Sequence, residues 1–128
     1  MKGGHFPTLS TNDYLIQWLN QRTRLPGVLA CGIGFSNKSA ASRSYAPGFP
    51  AESLDKTWRY VGDMFEVAGL HRFAPHHARW IYERAQLYCV LRKDRTFFCA
   101  FVALDLKPED AAAVSALFAE FKGQQPSA

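Results

Sequence analysis

Leu25-Pro26-Gly27-Val28-Leu29-Ala30-Cys31-Gly32-Ile33-Gly34-Phe35 is the stretch on which the fold turns. Proline and glycine side by side end a helix and turn the chain. From Val28 to Phe35 the residues are apolar and mostly small, with Gly32 and Gly34 inside the run. That composition predicts a strand buried on both faces or closely covered by a helix. Upstream, Ser10-Thr11-Asn12-Asp13 is a helix-start signal, with Ser10 and Asp13 at capping-box spacing. Tyr14, Leu15, Trp18 and Leu19 then recur on one helical face. Downstream, Ser36-Asn37-Lys38 is a turn, and Ser39 to Tyr45 is a more polar strand at or near a sheet edge. The two strands make a hairpin.

After the loop Ala46-Pro47-Gly48-Phe49-Pro50, the residues Leu54, Trp58, Val61, Phe65 and Ala68 alternate steps of three and four. This spacing predicts an amphipathic helix closed by Gly69, with Gly62 small enough to admit a second helix. A connection holding Pro75 follows. Three strands are then expected at Arg79 to Glu83, Gln86 to Arg92 and Thr96 to Leu104, joined by tight turns as a meander. The last of them is almost continuously apolar, as a central strand should be. Pro108 suits the first position of a final helix, and Glu109 and Asp110 suit the positive end of its dipole. Ala111, Val114, Leu117, Phe118 and Phe121 would form its apolar face.

A chain of 128 residues fits one domain, read as spanning 1–128 with an ordered core of about 10–122. Hydrophobic residues at 48% can build a core, and charged residues at 20% argue against disorder. The net charge of +4 is modest, and the arginines are scattered from Arg22 to Arg95 rather than gathered in a stripe. That distribution argues against a nucleic-acid partner. No apolar run approaches membrane-spanning length, and no apolar segment follows Met1-Lys2-Gly3-Gly4-His5 as a secretory leader would require. Cys31, Cys89 and Cys99 each lie in an apolar run, which reads as buried free thiols in a reducing compartment. A soluble cytoplasmic protein is expected.

The order α-β-β-α-β-β-β-α, entered through Leu25-Pro26-Gly27-Val28 and the small-residue strand Ala30 to Gly34, resembles the roadblock / dynein light chain family. The likeness covers Ser10 to Lys122. Where the family often has an Asp-Gly-type turn between its first two strands, this chain has Ser36-Asn37-Lys38-Ser39. The resemblance implies an α/β (α+β), profilin-like domain with a five-stranded antiparallel sheet. It also implies a non-catalytic homodimer in which the second helix packs against its mate and the third strand pairs across the two-fold axis. Members bind or regulate Ras-like small GTPases, or act as adaptors in motor and signalling assemblies.

The residues agree with such a contact. The second helix offers Trp58 and Phe65 on one face, with Tyr60 and Met64 round the side and Gly62 in reach. The third strand alternates Trp80 and Tyr82 against Arg79, Ile81 and Glu83. A short edge strand with large apolar side chains pairs with something or aggregates, and isologous pairing is the usual solution. The expected self-association residues are Trp58, Val61, Gly62, Phe65, Trp80 and Tyr82. The alternative for these aromatics is that they fill the monomer core.

Other chemistry is poorly supported. His71, His76 and His77 gather in one connection, but no acidic residue stands near them and the cysteines are far off in sequence, so no metal is expected. Mid-strand cysteines in apolar runs are inert rather than nucleophilic. Gly32-Ile33-Gly34 lacks a third glycine and a following helix, and no Walker-type lysine is present. Glu52–Lys56 and Asp55–Arg59 are helix-supporting pairs on a wet face, not a catalytic carboxylate pair. No cofactor is expected and the chain reads as no enzyme. A second function class is a small-molecule sensor of PAS or profilin-like type, holding a ligand between sheet and helix. If the dimer reading is right, Trp80→Asp places a charge in an apolar seam. Light scattering should then find the variant monomeric at low micromolar concentration.

Overall fold

The structure is a computed structural model. It describes residues 11–70, 77–81 and 85–123. Three helices and one sheet follow the expected order: α1 (Thr11–Arg22), β1 (Val28–Gly34), β2 (Ala40–Ser44), α2 (Ala51–Leu70), β3 (His77–Ile81), β4 (Ala85–Leu91), β5 (Phe97–Ala103) and α3 (Pro108–Gly123). The sheet runs β2-β1-β5-β4-β3, and every neighbouring pair is antiparallel. The crossover through α2 carries the chain from one edge of the sheet to the other. The β3-β4-β5 meander then brings it back beside β1.

This topology explains the composition of the strands. β1 and β5 lie inside the sheet with helices on both faces, so both are apolar on both sides. On one face Phe98, Ala100 and Val102 pack with α1 and α3. On the other, Phe97 and Cys99 pack with α2. Val28 and Ala30 are two apart yet belong to opposite faces. A bulge between them shifts the register, and the extra residue reverses the alternation.

Pro26 and Gly27 form the centre of a turn closed by Val28 N–H donating to the Leu25 carbonyl (3.1 Å). Gly27 has φ of 89°, and a Cβ there would lie 1.9 Å from Leu106 Cδ2. A left-handed backbone and a side chain pressed onto it both require glycine. Buried Thr23 ties the end of α1 to the end of β2. Its hydroxyl donates to the Leu19 carbonyl and accepts from the Tyr45 hydroxyl, both at 2.7 Å.

Two aromatic assemblies anchor the helices. Around Phe98, the rings of Trp18, Phe118 and Phe121 stand 5.1, 5.0 and 5.4 Å away. This cluster joins α1 and α3 to β5. Glu120 reinforces it, accepting from Trp18 Nε1 at 2.8 Å and from Arg22 Nε and Nη2 at 2.8 and 2.9 Å. The paired Arg22 holds the Glu120 carboxyl below the usual carboxylate range.

On the other face, Trp58 of α2 lies directly on Gly32: a Cβ at position 32 would stand 2.0 Å from Trp58 Nε1. The indole N–H donates to Ser42 Oγ (2.8 Å), which donates onward to Asp55 Oδ1. Phe97 fills the next gap, between Gly34 of its partner strand and Gly62 of α2.

Several expectations shift. β3 already runs from His77, two residues before the predicted start at Arg79, with Tyr82 and Glu83 outside the described residues, and α2 continues through Gly69 to Leu70. Ala111 is exposed rather than part of the buried face of α3. Within the chain, the space at Gly62 is met by the ring of Phe97. The connection with Pro75, the Arg84 turn and the Ser10 cap lie outside the described residues.

Gly32→Ala should destabilise the fold by about 3 kcal/mol, because the methyl meets both the indole and the Ala41 carbonyl oxygen. Gly123→Ala, whose Cβ would meet nothing within 4 Å, serves as the control and should be near neutral. Urea denaturation monitored by tryptophan fluorescence measures both.

Candidate functional site

The residues expected at a self-association face divide in the structure. Trp58, Val61 and Phe65 are buried in the core beneath α2, with Trp58 only 1% exposed. Gly62 is half-buried against Phe97. For Trp58, Val61 and Phe65 the structure shows the other role the sequence left open: the strongest apolar stripe of α2 is spent on its own sheet. Trp80 lies in β3, where its Cα pairs with that of Leu87. Tyr82 falls outside the described residues.

The outer surface of α2 carries a different set. Tyr60, Met64 and Val67 are 69%, 51% and 55% exposed. Their spacing of four and three places them one above another along the helix. Acidic Asp63 and Glu66 share the outer surface, and both reach Lys38 on the β1–β2 turn, at 3.9 and 3.3 Å. Helix α2 thus has two apolar stripes, one facing the sheet and one facing out. The signal for telling them apart was present in the sequence. The glycines of β1 leave space for a large ring, and Trp58 is the residue of α2 that fills it.

The sheet has two edges of different character. β2 is short and polar, and its middle is tied to α2 through Ser42 and Asp55. Among the described residues, β3 pairs with β4 on one side and with nothing on the other. Its Ile81 is 66% exposed. Cross-strand partners share a face. Arg79 and Ile81 therefore lie on the α1/α3 side with Tyr88 and Gln86, and position 80 lies on the α2 side with Leu87.

The candidate chemical groups are placed as follows. All three cysteines are free and buried. Burial pushes the Cys31 thiol up to about 11, against smaller opposing effects of Thr23 and Arg43. Burial, and then the neighbouring Cys89, push Cys99 well above the ordinary thiol value. Such thiols are poor nucleophiles at neutral pH. His71 and His76 lie outside the described residues, and His77 opens β3. Among the described residues no group of three or more His, Cys, Asp or Glu side chains is placed to hold a metal ion. Gly32 and Gly34 are covered by Trp58 and Phe97, so no phosphate can approach that backbone. No described helix is long and apolar enough to cross a membrane.

A single antiparallel sheet ordered β2-β1-β5-β4-β3, with one long crossover helix on one face and two helices on the other, is the fold of roadblock-type domains. The chain is similar to the solved roadblock/LC7 domain from Streptomyces avermitilis, with a TM-score of 0.61 and 13% identity over 88% of this chain and 92% of that one. It is also similar to Myxococcus xanthus MglB, with a TM-score of 0.57 and 12% identity over 74% of this chain and 80% of that one. No family model matches the sequence, and no curated protein is similar to it by sequence. At these identities the shared property is the fold.

The raised thiols set a pH dependence. An ordinary thiol at 9.0 ionises before the folded Cys31 does at about 11, so the unfolded chain releases its proton first. Folding stability is therefore full below pH 9 and falls as pH climbs toward 11, by about 2 to 3 kcal/mol for this one group. Denaturation across that range checks it. At neutral pH, a thiol reagent should label the native protein slowly and the denatured protein fully.

Proposed function

We propose that this protein is a non-catalytic, cytoplasmic homodimer that serves as a platform or regulator for a Ras-like small GTPase. The observation that carries the reading is the outward apolar stripe Tyr60, Met64 and Val67 on a helix whose other face is already packed. A monomer has no use for a second stripe. A second copy of the helix, related by a two-fold axis, would cover it with the same residues. The open edge of β3 supports the same arrangement, since two such edges can pair and continue one sheet through both subunits. A stable dimer commonly buries about 800 Å² per partner, more than three side chains of one helix would cover. Strand pairing would supply the rest.

The likeness to roadblock-type structures supports a small GTPase as the kind of partner. Nothing in the described core offers a nucleotide site of its own, so any role in nucleotide turnover would pass through that partner. The dimer would present two copies of each surface at fixed separation, which suits a platform.

Met64→Glu tests the proposal without disturbing the core. Its stability should stay within about 0.5 kcal/mol of the parent, as for an exposed site. Light scattering over a dilution series should show a dimer for the parent chain and a monomer for Met64→Glu. A parent chain that is monomeric at every concentration would remove the reading. For the partner, the same pair of proteins is added to a purified Ras-like GTPase, and its nucleotide exchange and hydrolysis rates are followed. The parent should change one of those rates and the variant should not.

A further inference from the structure

Between α3 and the outer half of the sheet lies a cavity of about 520 Å³. Such a volume suits a small organic ligand. It exists because α3 presents small side chains there. Ala111 and Ser115, four residues apart, face the opening, while Val114 and Phe118 reach the sheet. Tyr88 and Val90 of β4 form the floor, and Leu106 closes one end. The Tyr88 ring meets Phe118 edge-on at 6.0 Å, so this wall is fixed by aromatic packing.

The polar groups are few and converge on one side. Arg79 of β3 stacks on the Tyr88 ring at 5.3 Å. Its Nε and Nη2 donate to Gln86 Oε1 at 3.1 and 2.8 Å, and the Tyr88 hydroxyl donates to the same oxygen at 3.1 Å. The buried Gln86 thus aims the guanidinium without neutralising it. Among the described residues that line the cavity there is no carboxylate, and the guanidinium is the one charge. Among the described residues no ion pair engages Arg79. An oriented cation at the rim of an apolar trough is complementary to a ligand with one anionic end and an apolar body.

We propose that this cavity binds a small amphipathic monocarboxylate, its carboxylate on Arg79 and its hydrocarbon between α3 and β4. A guanidinium pairs with a carboxylate through two parallel hydrogen bonds, so one arginine suffices for one such group. A phosphate would call for several further donors, and among the described residues the lining supplies the Ser115 hydroxyl besides Tyr88. The exposed Ile81, on the same face of the sheet two residues from Arg79, would extend the apolar contact beyond the cavity. The site is separate from the outer stripe of α2 but takes Arg79 from β3, the strand proposed to pair between copies, so light scattering beside each titration keeps occupancy and self-association apart.

The test uses decanoate and decanol, equal in chain length and different in charge, below the concentration at which either aggregates. Backbone amide shifts at Tyr88 to Val90 and Ala111 to Phe118 report the site. Decanoate should saturate these shifts at one equivalent per chain, and decanol should bind about tenfold more weakly. Arg79→Gln should bring decanoate down to the level of decanol and leave decanol unchanged. Ser115→Trp, which fills the trough from an exposed position, should abolish both. Circular dichroism confirms that each variant is folded, and Arg79→Lys, which keeps the charge, should recover part of the affinity. Equal affinity for the two probes, indifference to Arg79→Gln, or no saturable shift at these amides would overturn the proposal. So would an acidic amphipathic peptide that saturates the trough while decanoate does not, which would make it a protein-docking groove.

Discussion

The contact between Trp58 and Gly32 governs the α2 side of the molecule. A tryptophan ring can lie flat on a strand only where that strand has no side chain. Once it does, the long helix is fixed in height, rotation and position along the sheet. The indole N–H then falls on Ser42 of the edge strand, and Ser42 in turn falls on Asp55 one turn back along α2. A buried polar hydrogen is thereby satisfied, and the least apolar strand of the sheet is held to the layer that covers it. The ring of Phe97, lodged between Gly34 and Gly62, repeats the device one step further along. These two rings do for α2 what Phe98 and its aromatic neighbours do for α1 and α3.

Function follows from what this packing leaves uncommitted. Because α2 spends Leu54, Trp58, Val61 and Phe65 inward, its outer apolar residues stay exposed among the described residues. The crossover carries β3 to the far edge, where no other described strand pairs with its outer side, and it also places Arg79 where α3 only partly covers the sheet. One topological step therefore creates both the surface proposed for self-association and the rim of the cavity.

Much of the fold was legible in the sequence. The Pro26-Gly27 break, the steps of three and four in α2, and the unbroken apolar run of β5 each mark an element by a local rule. What was not legible depends on which neighbour each element meets. β3 takes in His77 and Ala78 because its run of large residues does not mark where it starts; the pairing of His77 with Val90 and of Ala78 with Cys89 extends it. The β1–β2 turn lacks a glycine, yet Lys38 takes φ of 72°, as Arg95 does in the β4–β5 turn. Asn37 and Asp94 support these turns by accepting the N–H two residues on, a compensation that composition alone does not reveal. The burial of Trp58, Val61 and Phe65 beneath α2 was hard to read for a related reason. A helix with two apolar stripes shows which residues are apolar but not which stripe faces home. Only the complementarity of ring and glycine across the layers decides it.

The placement of Phe97 has a consequence for how this sequence can diverge. Its ring occupies the space that Gly34 and Gly62 vacate, on a different strand and on a helix. A side chain at Gly34 collides with the ring and one at Gly62 presses on it, while a smaller residue at 97 alone leaves a void between two bare backbones. Each change is costly singly, and paired changes can restore contact. The three positions, far apart in the chain, therefore constrain one another. Related sequences should either keep all three or exchange them in concert, with bulk passing from the strand to the helix or to its neighbouring strand.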